Sequence, residues 1–252
     1  MLARIGSAFI AVWLICVALP GAGARADDNQ VDLLLVLAAD VSHSVDAAKF
    51  KLQREGYAAA ITDPRVIKAM TGGTHRRIAL CFIEWADDYE QSVIVDWMLI
   101  GGRRDASRFA ETIRQAPRVH SGRTSIGAGI DYAMAQLGRT AYQAVRRVID
   151  VSGDGTSNAD RTLAKAREEA LAQGVTINGL AILGDAPLST NPRHTNPRGG
   201  LAAYYRDNVI GGPGAFVMEA TGFEVFGQAL IAKLIKEIAD AGGRDASPTR
   251  LQ

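Results

Sequence analysis

Apolar residues gather along this chain in short runs that end in polar or glycine-rich clusters, and between them lie stretches whose apolar positions recur every three or four residues. Residues 31–39 (VDLLLVLAA) form a nearly continuous apolar run, the pattern of a central strand buried on both faces. Residues 46–61 predict a helix, closed at Thr62-Asp63-Pro64, where the proline stops helical continuation. Two further strands are expected at 77–85 (RIALCFIEW) and 91–97 (QSVIVDW). Only residues 86–90 separate them, too few for a crossover helix, so the pair reads as a hairpin and the third strand as an antiparallel edge.

Helices follow over 105–115 and 126–137, joined by the polar loop 117–125, and a fourth strand over 146–151 (RRVIDV) runs into Ser152-Gly153-Asp154-Gly155. An Ala, Glu, Lys and Arg-rich helix over 159–173 stops at Gly174, and 175–183 is the fifth strand. The long loop 184–200 carries three Pro and three Gly. A helix over 201–209, a turn at Gly211-Gly212-Pro213-Gly214, a short sixth strand over 215–219 and a final helix over 224–241 complete the order. Strands alternating with helices imply an α/β, doubly wound, mainly parallel six-stranded sheet with one antiparallel edge strand and helices on both faces. Ligands of such sheets bind outside the carboxyl ends of the strands, where the chain order reverses.

The amino terminus changes the picture of where the chain works. Residues 1–26 combine Arg4, an apolar run over 8–19 and the small-x-small sequence Ala24-Arg25-Ala26, the layout of a secretory signal peptide. The run is shorter than the roughly 20 residues a membrane span needs. A periplasmic or secreted domain over 27–241 is therefore expected, followed by a polar tail over 242–252, with no membrane insertion after cleavage. Loss of Arg4 and Arg25 takes the net charge from +1 to −1, a balance that does not suit nucleic acid or an anionic membrane. Cys81, the one cysteine left after cleavage, sits in an apolar strand and reads as a buried core thiol.

Candidate chemistry lies where the strands end. The first strand stops at Asp40-Val41-Ser42-His43-Ser44, the fourth at Gly153-Asp154-Gly155, and Gly122-Arg123-Thr124-Ser125 adds a hydroxyl from a third loop. Two carboxylates and three hydroxyls are hard oxygen donors, suited to Mg²⁺ first, or to Mn²⁺ or Ca²⁺, and poor for zinc or copper. The histidines His43, His75, His120 and His194 show no zinc-type spacing, and alternation turns His43 away from Ser42 and Ser44.

The Asp-x-Ser-x-Ser loop, Thr124 and Asp154, in this order of elements, resemble the metal-ion-dependent adhesion site (MIDAS) of von Willebrand factor A (vWA) domains. The resemblance covers nearly all of 31–241. It implies direct ligation by Ser42, Ser44 and Thr124, with Asp40 and Asp154 acting largely through bound water, and an open position that captures an acidic side chain of a partner protein. Family members often carry a Thr directly before the last Asp, where this chain has Gly153. The stretch from Tyr204 to Gly214 is also similar to a family of exported bacterial proteins of this fold without an assigned activity.

Readings from other classes stand beside this one. Gly153-Asp154-Gly155-Thr156-Ser157-Asn158-Ala159-Asp160 looks a little like the acidic loop of haloacid-dehalogenase-like phosphohydrolases, but Ser42 stands where that chemistry needs a second acid. Ser152 lacks the preceding glycine of a nucleophile elbow. A metal-free scaffold with a degenerate site would place its contacts on loop 184–200, the longest irregular stretch. No catalytic residue and no cofactor other than the divalent cation is expected.

Overall fold

Alternate residues of the first apolar run go to opposite sides of one sheet. A computed structural model describes residues 29–184 and 191–239; the export signal expected over 1–26, positions 185–190 of the long loop and the tail over 242–252 lie outside the described residues. Strand β1 (Leu34–Asp40) is buried along its whole length. Leu33, Leu35 and Leu37 pack into one apolar cluster with Tyr57, Phe109 and Phe226, whereas Leu34, Val36 and Ala38 join a second with Ile126, Ala166 and Tyr205. The two-residue period of a strand thus feeds two cores.

The remaining strands are β2 (Ile78–Trp85), β3 (Gln91–Ile100), β4 (Arg147–Gly153), β5 (Thr176–Ile182) and β6 (Val217–Ala220). They lie in the order β3-β2-β1-β4-β5-β6. All neighbours are parallel except β2 and β3, which pair antiparallel at the edge, as the short connection between them requires. Chain order reverses between β1 and β4, so the crevice expected of a doubly wound sheet opens where Asp40 and Asp154 leave their strands.

Eight helices among the described residues accompany the sheet: α1 (Ala47–Thr62), α2 (Pro64–Met70), α3 (Arg103–Gln115), α4 (Ile126–Arg139), α5 (Leu163–Ala172), α6 (Pro192–Thr195), α7 (Leu201–Asn208) and α8 (Phe226–Ala239). Helices α1, α2, α3 and α8 pack together on one face, with α4, α5 and α7 on the other. Within α4, a Cβ at Gly129 would lie 2.8 Å from the Trp85 ring, so the Gly127-Ala128-Gly129 sequence serves close packing of helix on strand. Cys81 is buried in the same core.

Three elements differ from the sequence expectation. Pro64 does not merely end α1; it opens α2 at the first helical position, where the N–H it lacks would have been unpaired, and Asp63 caps that helix through Arg65 N. Helix α5 starts at Leu163 rather than 159, because the N–H groups of Asp160 and Arg161 donate to the Asp88 carboxylate (3.1 and 3.3 Å) instead of entering a helical turn. The loop after β5 contains α6, which the sequence reading leaves irregular.

Charges also enter the interior. Lys233 of α8 is fully buried with its ammonium 2.6 Å from Asp150 of β4 and 3.3 Å from Glu237. Burial pushes the Asp150 carboxyl up to about 7, Lys233 opposes the rise and Glu237 adds to it. Arg54 of α1 forks onto both oxygens of Glu84 at 2.9 and 3.0 Å and ties α3 down through the carbonyl of Ile113.

Candidate functional site

The loop after β1 turns sharply because Asp40 folds its own chain: the Ser42 N–H donates to Asp40 Oδ1 at 2.7 Å. That bond aims the Ser42 and Ser44 hydroxyls inward, 3.2 Å apart, and leaves His43 exposed, the orientation expected from alternation. Two outside groups hold the loop. Gln53 of α1 donates to the Asp40 carbonyl at 3.1 Å, and the Arg118 guanidinium donates to the carbonyl of Val41 at 2.7 Å.

Thr124 arrives from the loop before α4 and donates its hydroxyl to Ser42 Oγ at 3.0 Å. Asp154 arrives from the end of β4 and accepts from Ser44 Oγ at 2.5 Å. The structure therefore brings all five residues, Asp40, Ser42, Ser44, Thr124 and Asp154, into one cluster, each less than 9% exposed. Gly153 makes this possible. A Cβ there would stand 2.8 Å from Asp40 Oδ2 and 2.5 Å from the Tyr205 hydroxyl, so a larger residue at this position would crowd both groups.

Several residues that the sequence reading passed over complete the surroundings. Asn158 and Thr124 exchange hydrogen bonds, Thr124 N to Asn158 Oδ1 and Asn158 N to Thr124 O, both at 2.8 Å, which clamps the second and third loops together. Asp88, in the turn between β2 and β3, accepts from Ser125 Oγ at 2.5 Å as well as from the loop before α5. Lys49 of α1 donates to the Ser44 carbonyl at 2.8 Å and lies 3.4 Å from Asp154 Oδ2. His194 of α6 points its Nε2 at Thr124 Oγ1, 3.3 Å away. Apart from Lys49 to Ser44, these contacts join residues more than 30 positions apart, so no local pattern announces them. Asp160, part of the acidic-loop likeness, is 87% exposed and pairs with Arg123 outside the cluster.

Charge is unevenly compensated. Burial first, then the neighbouring Asp154 carboxylate, push the Asp40 carboxyl up to about 7, and the hydrogen bonds from Ser42 only partly oppose this. Asp40 Oδ2 has no hydrogen-bond partner among the described residues, and neither has the buried Tyr205 hydroxyl. Above the hydroxyls opens a cleft of about 430 Å³, with His43, Arg123 and Asn191 at its rim. No group of three or more His, Cys, Asp and Glu side chains suited to a metal occurs among the described residues. The donors are instead mostly hydroxyls, which such a grouping does not count.

What the arrangement fits is a small hard cation. About 2.1 Å is an ordinary bond length for such an ion in an octahedral shell, and two adjacent donors are then about 3.0 Å apart. The Thr124–Ser42 and Ser42–Ser44 oxygen separations of 3.0 and 3.2 Å match that edge. An unpaired, buried carboxylate oxygen directly behind them is the kind of group a bound water or cation satisfies.

A family model described as "Protein of unknown function (DUF1194)" matches residues 30–242. Among solved structures, the proximal thread matrix protein 1 of the mussel byssus, described with a zinc-occupied MIDAS motif, aligns with a TM-score of 0.56 at 13% identity, over 84% of this chain and 48% of that one. The pilus adhesin SpaC of Lactobacillus rhamnosus GG aligns with a TM-score of 0.56 at 14% identity, over 83% of this chain and 30% of that one. A von Willebrand factor type A protein from Catenulispora acidiphila gives a TM-score of 0.53 at 16% identity, over 84% and 43%. The chain thus spans half or less of these three proteins, and at such identities the likeness is one of fold: a vWA-type, doubly wound α/β domain. No curated protein matches the chain.

Proposed function

This chain belongs to the family described as proteins of unknown function, DUF1194, and from its site we propose that it is a divalent-cation-dependent protein-binding module. The observation that carries the reading is the octahedral-edge spacing of the Ser42, Ser44 and Thr124 hydroxyls above two buried carboxylates. Ser42, Ser44 and Thr124 would hold the cation directly, with Asp40 and Asp154 behind them holding water and the loops. Keeping anions in the outer shell leaves the ion electrophilic, so that an acidic side chain of a partner protein completes its coordination through the cleft. The rim residues Arg123 and His43 then select among partners. Mg²⁺, Mn²⁺ and Ca²⁺ are the candidates for an oxygen set; the zinc of the mussel protein's MIDAS shows that a site of this type in a related fold also accepts a softer ion.

The domain over 27–241 would act after export to the periplasm or beyond, with the apolar amino-terminal run as its signal. In support, no helix among the described residues is long and apolar enough to cross a membrane. The first loop supports a binding role over haloacid-dehalogenase-like phosphohydrolysis, since Ser42 stands in place of the second acid that chemistry needs.

The test is calorimetric titration of the metal-stripped protein with Mg²⁺ and Mn²⁺, beside Ser44→Ala and Asp154→Asn. One-to-one binding weakened by about 10-fold or more in both variants is the expected result. Absence of binding in the folded native protein would sink the metal reading. Lys49 would then be the counter-charge to Asp154 in a metal-free scaffold.

A further inference from the structure

One side chain at the cluster is neither an oxygen donor nor part of the hydroxyl set. His194 belongs to α6, and its backbone is fastened to the loop after β4: Thr156 N donates to the His194 carbonyl at 2.9 Å. The imidazole is 5% exposed. It reaches inward only because residue 155 is glycine, since a Cβ there would run into the imidazole Nε2. At the inner end of the ring, Nε2 lies 3.3 Å from Thr124 Oγ1, and Thr124 Oγ1 lies 3.0 Å from Ser42 Oγ. The imidazole nitrogen thus continues the same row of donors, with a separation close to the about 3.0 Å edge of an octahedral shell.

The far nitrogen is also provided for. Thr156 Oγ1, 3.4 Å from Nδ1, can accept its proton, whereas Asn158 Nδ2, 3.5 Å away, is a donor that would favour the opposite tautomer. With Nδ1–H donated to Thr156, the lone pair of Nε2 faces the cluster, the arrangement by which a second hydrogen bond orients a ligating histidine.

We infer that His194 is a nitrogen ligand of the cation at this site, which makes its donor set mixed and its preference Mn²⁺, Co²⁺ or Zn²⁺ over Mg²⁺ and Ca²⁺. The inference rests on the cation-binding reading of the cluster and deepens it. Imidazole is a borderline donor that adds affinity for first-row transition ions and little for Mg²⁺ or Ca²⁺. An all-oxygen set has no such bias. The α6 segment of the loop expected from sequence as a metal-free contact surface then becomes part of the metal site.

The experiment loads the metal-stripped protein with one equivalent of Mn²⁺ and records electron spin echo modulation from directly bound nitrogen, for the native protein, His43→Ala and His194→Gln. Co²⁺ and Mg²⁺ affinities are measured in parallel by calorimetry. Nitrogen modulation present in the native protein and His43→Ala but lost in His194→Gln, with Co²⁺ affinity lowered about 10-fold or more and Mg²⁺ affinity little changed, supports His194 as a ligand. Bound Mn²⁺ without nitrogen modulation in the native protein overturns the inference and leaves the cation site standing; this reading needs no variant to fold. Modulation that disappears in His43→Ala and survives in His194→Gln assigns the nitrogen to His43 and overturns it too. Failure of Mn²⁺ to bind at all overturns both readings together.

Discussion

Asp40→Asn separates the electrostatics of this site from its packing. The wild-type carboxyl is fully buried and its pKa rises from 3.8 to about 7, through burial first and the Asp154 carboxylate second. Between those two values the native state holds a proton that the unfolded chain has released. Stability of the metal-free protein therefore falls as pH rises across that window, and the full penalty is present above about 7. At about 1.4 kcal/mol per pH unit, the rise is worth about 4 kcal/mol. The amide of Asp40→Asn carries no charge, and its oxygen still accepts from Ser42 N, while its N–H groups meet a site without a ready acceptor. About half the penalty, on the order of 2 kcal/mol, is the expected net gain at pH 8. For a domain of this size, that corresponds to a melting temperature about 4–8 °C higher than wild type in EDTA. At pH 5 only about 2 kcal/mol of the penalty is present, the cost of the unpaired amide N–H groups offsets it, and the advantage vanishes. Saturating Mn²⁺ or Mg²⁺ restores wild type by compensating the paired carboxylates and does nothing comparable for the variant. Thermal melts of both proteins at pH 5, 6.5 and 8, with and without cation, give the answer. Glu84 and Asp150 are also pushed up to about 7, but they contribute equally to both proteins and cancel in the difference. A wild-type-minus-variant difference that stays flat from pH 5 to 8 in EDTA would refute the reasoning.

Two further perturbations probe how the site and core are built. Gly153→Ala sets a methyl group 2.8 Å from Asp40 Oδ2 and 2.5 Å from the Tyr205 hydroxyl, so a loss of about 1–3 kcal/mol in urea unfolding is expected, together with weaker cation binding; unchanged stability and affinity would show that the loop relaxes freely. Lys233→Met leaves Asp150 and Glu237 buried without their shared ammonium, and should cost about 3–5 kcal/mol at pH 8. Because an uncompensated Asp150 protonates more readily, that loss should shrink at pH 5, and an identical loss at both pH values would assign it to packing alone.

How far the sequence reaches into this molecule depends on the range of the interaction. The six apolar runs and their order carry the sheet, because a strand buried on both faces announces itself in a continuous run, and the five-residue gap between β2 and β3 leaves no room for a parallel crossover. The Asp40, Ser42 and Ser44 spacing is equally local: the Asp40 side chain bonds its own chain two residues on, which turns both hydroxyls to one side. Thr124 and Asp154 were legible only with the strand order in hand, since a doubly wound sheet brings the ends of β1 and β4 side by side. Local signals also misled where a tertiary partner competes with them. Residues 159–161 have a helical composition, yet Asp88, more than 70 positions away, takes the N–H groups of Asp160 and Arg161 and delays α5 to Leu163. Asn158, His194 and the reach of Lys49 to Asp154 escaped for the same reason. Each meets the cluster across a sequence distance over which composition and period carry no information, and only the packed chain sets the separation between an imidazole on α6 and a hydroxyl before α4.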